Sequence, residues 1–432
     1  MFFVVTEFDK LRGLRWCYLA DSANSIFVGL TLHGPHFVLF LSFLGFSKFG
    51  IGALYSLLPF LGVTALVTAP AISRFGYKRT FLIFFGARKL TMASLLCTPL
   101  VLSVFGVPIG LVFVVSVVAV YGLCRAISET ALYPWSMEYI PERVRGKFSA
   151  VDSLVCTLFG LAASVFAGYI VEEFTDITPY MILIFIGVMF GVLSVAAWSQ
   201  IAGGASVNIS QQGRVEDVNI VQALGNRKFR NFLAGYGLMS TVLAPMPSLM
   251  PLFYQFQVGI SPSQIVWAQS AMLAGGFSSI LFLGKLADRY GGKPVMILGV
   301  VLSGVLPFGW MCLPRQSASS WYFVLAIEGL HGVVGPAWSI GSAHYLFLTL
   351  IPQSEKVPMT AAFYAVSGLS SGLSLLFSGW ILDHIPEFSA IKLWFLSIDL
   401  YTPLFVYMLA ISIVCYLLLS RRSSDSSRLS SI

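Results

Sequence analysis

Gly284-Lys285-Leu286-Ala287-Asp288-Arg289-Tyr290-Gly291-Gly292-Lys293-Pro294 is a short, charged, glycine-rich stretch between two apolar runs, Ala271 to Leu283 and Val295 to Leu313. Both flanking runs have the composition of membrane-spanning helices, so the turn between them has to lie at a bilayer surface. Its glycines permit a sharp reversal, while Asp288, Arg289 and Lys293 stay in water or pair with one another.

The whole chain has the same character. Of its 432 residues 57% are hydrophobic and 10% charged, against about 25% charged in an average soluble chain. Too little charged surface exists to cover a water-facing globule, so lipid is the main solvent. The six cysteines (Cys17, Cys97, Cys124, Cys156, Cys312, Cys415) stand singly, mostly within apolar runs, with no metal-ligand or CxxC spacing; they read as small buried apolar residues. The N-terminus lacks the basic-then-apolar order and small-residue cleavage site of a signal peptide, so the first helix is expected to be retained.

Apolar runs between polar breaks predict twelve helices. The first six lie at 16–43, 48–70, 80–104, 107–132, 148–171 and 180–200, and the second six at 230–255, 263–285, 294–313, 321–348, 359–382 and 392–420. The expected domains are a first six-helix bundle over 1–200, a cytoplasmic linker over 201–229, a second bundle over 230–420 and a disordered cytoplasmic tail over 421–432. With both termini inside, basic residues accumulate on the inner face: Lys10, Arg12, Arg15, Arg74, Lys78, Arg79, Arg143, Arg145, Lys147, Arg214, Arg227, Lys228, Arg230, Lys285, Arg289, Lys293, Lys356 and the tail arginines. The outer face has only Lys48, Arg315 and Lys392, the asymmetry of a positive-inside protein. This placement accounts for the net charge of +7 without a nucleic-acid partner.

The halves repeat. Tyr139-Ile140-Pro141-Glu142 returns as Leu350-Ile351-Pro352-Gln353, and Gly168-Tyr169-Ile170 returns as Gly379-Trp380-Ile381, both 211 residues later. Ser73-Arg74-Phe75-Gly76 returns as Asp288-Arg289-Tyr290-Gly291, 215 residues later. Three echoes in order indicate duplication of a six-helix unit.

The opening stretch resembles G-x-L-A-D-R-x-G-R-K, the signature between the second and third helices of each half of major facilitator superfamily transporters. Gly284, Leu286, Ala287, Asp288, Arg289, Gly291 and Lys293 match it, and Gly292 replaces an arginine. Glu138-x-x-Pro141-x-x-x-Arg145-Gly146 is similar to the E-x-x-P-x-x-x-R-G element after the fourth helix of many members. The resemblance implies an all-α integral membrane fold of two pseudo-symmetric six-helix bundles. It also implies that Asp288 and Arg289 approach Glu138 and Arg145 as a cytoplasmic charge latch; the alternative is plain solvated loop charge.

In that fold helices one, four, seven and ten line a central cavity. The polar residues there are Asp21, Asn24, His33 and His36 on the first, Arg125 and Glu129 on the fourth, Tyr236, Ser240 and Thr241 on the seventh, and Glu328, His331, Trp338, Ser339 and His344 on the tenth. Ionisable groups within the bilayer cost at least ~2.5–3.5 kcal/mol each and need a reason. Arg125 with Glu129, four residues apart, suits substrate or proton chemistry, or an intrahelical structural pair. Glu328 with His331 suits proton coupling, or an outer interface. Asn24, Tyr236, Ser240 and Trp338 complete the expected substrate and coupling set. His33, His36 and His344 are expected to bond backbone carbonyls.

No Walker loop, metal cluster or catalytic triad is present in the sequence, so neither an ATP-driven pump nor an enzyme is expected, and no cofactor or metal. The expected function is secondary active transport of a small organic solute by alternating access, proton-coupled, by a monomer in a plasma or inner membrane. The alternatives are a facilitator-like receptor or scaffold, and a lipid transporter.

Overall fold

The computed structural model describes residues 7–64, 68, 72, 75–141, 144–173, 176–203, 225–346, 350, 356–386, 391–394 and 396–420. Most of the linker, the tail from Arg421 and the first-half counterpart of the charged turn around Ser73 lie outside them.

Helices dominate because a chain crossing lipid has to satisfy its backbone groups within itself. The first span comprises α1 (Glu7–Leu30) and α2 (Pro35–Phe43), broken between them at residues 31–34. The second begins as α3 (Lys48–Gly62), capped by the Ser47 side chain. The third is α4 (Tyr77–Ser94), continuing through a short 3₁₀ turn into α5 (Thr98–Tyr139). Gly106 within α5 has φ +80°, and this left-handed residue separates the third span from the fourth. The half closes with α6 (Arg145–Glu173) and α7 (Thr178–Ser199).

The second half follows the same plan. The seventh span is α8 (Arg227–Leu243), α9 (Met246–Phe253) and a π turn over Tyr254–Val258, interrupted at Ala244-Pro245 as the proline pair predicts. Next come α10 (Pro262–Tyr290), α11 (Gly292–Cys312), α12 (Ser320–Tyr345) and α13 (Lys356–His384). A small antiparallel hairpin of β1 (Ile391–Leu393) and β2 (Leu396–Ile398) precedes α14 (Thr402–Ser420).

Ten described segments are long and apolar enough to cross a membrane by themselves. One of these, Tyr77–Tyr139, is broken at Gly106 into two spans, and α3 is a shorter apolar helix whose continuation lies outside the described residues. The protein is an all-α, multi-pass membrane protein.

Three local expectations change. The opening stretch is not a loop: α10 continues through Asp288 and Arg289 to Tyr290, and the reversal is made by Gly291 alone at φ +85°. The fourth span continues past Pro134 to Tyr139, so Glu138 belongs to its last helical turn. Residues 391–398 form a hairpin rather than the start of the last helix, because Asp399 is drawn into an ion pair and caps the following turn.

Within the first half, α1 packs on α6 and α7, and α4 on α5 and α7; within the second, α12 packs on α10 and α11, and α8 on α13 and α14. Between the halves the large contacts are α3 with α13 and α6 with α10. These two pairs exchange when the halves are exchanged, as the internal repeat requires. The cross-bundle contacts that position the site gather toward the end of the molecule opposite the termini, called the far end below. There the Asp383 carboxylate accepts from the backbone N–H groups of Lys48 and Phe49 at 3.1 and 3.0 Å. The Ser164 hydroxyl meets the Val266 carbonyl at 3.2 Å and the Ser270 hydroxyl at 3.1 Å.

Candidate functional site

The ionised groups of the first bundle converge on one small volume. Arg125 and Glu129, one helical turn apart on α5, bond at 2.7 Å through Arg125 Nε and Glu129 Oε1. The same Glu129 oxygen lies 3.8 Å from Arg88 Nη1 on α4. Arg88 Nη2 and Lys89 Nζ both donate to Asn24 Oδ1 on α1, at 3.1 and 2.6 Å. Arg125 Nη1 lies 3.4 Å from His33 Nε2, so His33 borders the cluster instead of bonding a backbone carbonyl.

Burial is uneven and informative. Lys89 is 1% exposed and Arg88 4%, whereas the side chains of Arg125 and Glu129 are 32% and 51% exposed. Lys89 lies over the Phe27 and Phe85 rings at 3.5 and 4.3 Å, and Arg88 over Phe85 at 4.2 Å. Such cation–π contacts offset part of the desolvation of buried cations. An ion pair as open as Arg125–Glu129 cannot face lipid at this depth. Arg88 is 11 residues into α4, about 16 Å along its axis, near the middle of a core about 30 Å thick. The pair therefore faces a polar space and not the lipid. A cavity of about 100 Å³ opens beside it, lined by Asp21, Asn24, Arg88, Ser128 and Glu129 with Phe81, Phe85, Leu132 and Trp198.

Arg88 and Lys89 were missing from the expected set. Their signal was two basic residues inside an apolar run, on a third helix that the cavity-lining rule leaves out.

The second bundle presents aromatic groups at the corresponding place. Tyr236 on α8 is half-buried and packs against Trp338 on α12 at 5.2 Å and Phe363 on α13 at 4.5 Å. The Ser240 hydroxyl bonds back to the Tyr236 carbonyl within its own helix. Glu328 and His331 lie elsewhere. Glu328, 6% exposed, accepts from the Tyr254 hydroxyl and pairs with His331 Nδ1 at 3.0 Å, while Trp310 Nε1 donates to Tyr254 at 2.8 Å. This four-residue network is enclosed in the second bundle and does not join the first-bundle cluster.

Of the expected latch, Asp288 and Arg289 occupy the exposed last turn of α10, where the Arg289 guanidinium stacks on Tyr290 at 5.2 Å. The Glu138 carboxyl lies beside Gly203. The Arg145 side chain lies outside the described residues.

The family model of the Major Facilitator Superfamily matches residues 231–431. A multidrug resistance protein, MdtL of Klebsiella pneumoniae (strain 342), is 37% identical over 73 residues, which is 17% of this chain and 18% of that protein. The match thus spans less than a fifth of that relative's length. Among solved structures, a mutant of the nucleoside transporter NupG superposes with a TM-score of 0.71 at 12% identity, covering 94% of this chain and 99% of that one. A bacterial homologue of the iron transporter ferroportin, in an inward-facing state, gives 0.68 at 12% identity over 96% and 99%. A D-xylose–proton symporter gives 0.65 at 13% over 94% and 96%. At such identities these three establish the fold alone. The second half thus matches the major facilitator superfamily model, and nearly the whole chain shares the fold of these solved transporters.

Proposed function

We propose that this protein is a secondary active transporter, carrying a small organic solute across the membrane by alternating access and coupled to proton movement. The observation that supports this furthest is the half-open Arg125–Glu129 pair with Arg88 behind it, at midspan of the first bundle. Ion pairs held there are costly, and their use is to meet a polar solute. Closure of the far end by Asp383, Ser164 and Ser270 leaves the end carrying the termini as the exit. With the termini cytoplasmic, in a plasma or inner membrane, this is the inward-facing state.

In this reading Asn24, Arg125, Glu129, Tyr236, Ser240 and Trp338 serve the solute, and Glu328 with His331 carries the coupling proton. Glu138, Arg145, Asp288 and Arg289 latch the cytoplasmic side when the far end opens. The transporter works as a monomer. The names of its structural neighbours, a nucleoside transporter and a sugar–proton symporter among them, agree with a small polar solute.

The test is uptake by purified protein in proteoliposomes, across a panel of sugars, nucleosides, organic acids and amines, with and without an imposed pH gradient. One class should accumulate only with the gradient, and Arg125→Ala should abolish it. A ligand that stabilises the protein without crossing would favour a receptor, and movement of labelled phospholipid alone a lipid transporter.

A further inference from the structure

The two guanidiniums of the first bundle share one carboxylate. Among the described residues, Glu129 is the only carboxylate within 4.0 Å of Arg88 or Arg125, and a single oxygen, Oε1, serves both. Lys89 is already engaged by Asn24 and two phenyl rings, and Asp21, which shares the field of Arg88 and Lys89 and is opposed by Asp152, makes no ion pair with either arginine within 4.0 Å. Arg88 Nε is fully buried and has no hydrogen-bond partner, although Arg88 lines the cavity. A guanidinium with a free buried N–H beside an underfilled polar cavity lacks an acceptor. Glu129, half exposed, occupies the fork that a second carboxylate would fill and is free to swing out.

The second bundle carries a group of aromatic rings at the positions that the repeat relates to this cluster. Trp338 follows Arg125 by 213 residues and Tyr236 follows Asp21 by 215, offsets that fall with the 211 and 215 of the repeated motifs. The duplication therefore gives Tyr236 and Trp338, with Phe363 packed on Tyr236, the places in the second bundle that answer to Asp21 and Arg125 in the first.

We infer that the solute is an aromatic organic anion: its carboxylate or phosphate displaces Glu129 from between Arg88 and Arg125, and its ring rests on Tyr236. This rests on the transport reading and names the substrate class of that site. Charge-assisted hydrogen bonds to a planar fork select an oxyanion over a neutral isostere. Offset or edge contact with Tyr236 selects a ring over an alkyl chain.

The experiment uses the full chain in lipid nanodiscs, with benzoate, indole-3-acetate and phenyl phosphate as probes and benzamide, benzylammonium and acetate as controls. At least one aromatic anion should raise the thermal midpoint and bind at least about tenfold tighter than the controls, as one charged hydrogen bond suffices for that ratio. Arg125→Gln should weaken that binding by a similar factor. Glu129→Gln, which removes the internal competitor, should tighten it, an outcome that misfolding cannot imitate. Binding of benzamide or benzylammonium as tight as the anions, no binding of any of the three anions, or unchanged affinity in both variants overturns the inference. Counterflow in proteoliposomes separates the two levels. If a neutral or cationic solute moves instead, transport stands and the anion assignment falls. If an aromatic anion binds and exchanges across no membrane, the assignment stands and transport falls.

Discussion

Asp383, the penultimate residue of α13, caps the first turn of α3 in the other bundle: its Oδ1 lies 3.1 Å from the Lys48 nitrogen, and its Oδ2 lies 3.0 Å from that of Phe49. A helix N-terminus carries unpaired N–H groups and partial positive charge, so a carboxylate there is stabilising. Here the helix and its cap belong to different bundles, and the bond exists only while the far end is closed.

Asp383→Ala should therefore act on the conformational equilibrium more than on folding. Loss of a cap costs about 1 kcal/mol, a shift of about fivefold toward the far-open state. Maleimide labelling of an Ala53→Cys reporter from the far side should speed up by a comparable factor. Unchanged labelling would show the cap to be incidental.

The α3–α13 contact is as close as backbones allow. A Cβ on Gly52 would stand 2.5 Å from the Leu375 carbonyl oxygen, whereas one on Gly62 in the same helix would meet nothing within 4 Å. Gly52→Ala should destabilise the far-closed protein by about 1–3 kcal/mol through overpacking. Gly62→Ala should be neutral or stabilising by up to about 1 kcal/mol. Thermal midpoints of the two variants in nanodiscs make the comparison.

Beyond the spans, Arg315 ties the β hairpin to the second bundle. Its Nε donates to Asp399 at 2.9 Å, and its Nη1 to the carbonyls of Trp310 and Leu313 at 3.1 and 2.7 Å. Burial lowers the Arg315 pKa from its usual value, and Asp399 opposes that shift. Asp399 is 0% exposed, so Arg315→Ala leaves a buried carboxylate unpaired and should cost about 3–5 kcal/mol. Arg315→Met with Asp399→Leu should recover most of that loss. A double variant no more stable than Arg315→Ala would place the stabilisation in the carbonyl bonds instead.

Glu328→Gln keeps an acceptor for Tyr254 and a side chain of the same size, so the fold should survive. If Glu328 with His331 carries the coupling proton, accumulation under a pH gradient should fall to the level of simple exchange, while counterflow continues. Loss of both activities with an unchanged thermal midpoint would assign Glu328 to the solute path. Full retention of both would leave the pair a structural one.

Primary structure alone was enough to set the solvent and the number of repeats. Long apolar runs, charge asymmetry and repeated motifs are one-dimensional signals, and the bilayer admits few solutions to them. The repeated motifs also mark the seams: Gly168 on the fifth span and Gly379 on the eleventh are where the bundles touch. Local geometry was less legible. The distinction between Gly284, inside a helix, and Gly291, the turn, depends on where the last helical hydrogen bonds close. The tertiary structure alone decided the site. Arg88 and Lys89 meet Asn24 across 64 and 65 residues, and only helix packing brings Arg88 to Glu129. It also separated Glu328 from the cavity by giving it Tyr254, itself held by Trp310, as a partner from another element. The physical reason is that hydropathy records whether a residue leaves water, while the partner that makes a buried charge tolerable is set by neighbours far away in the chain.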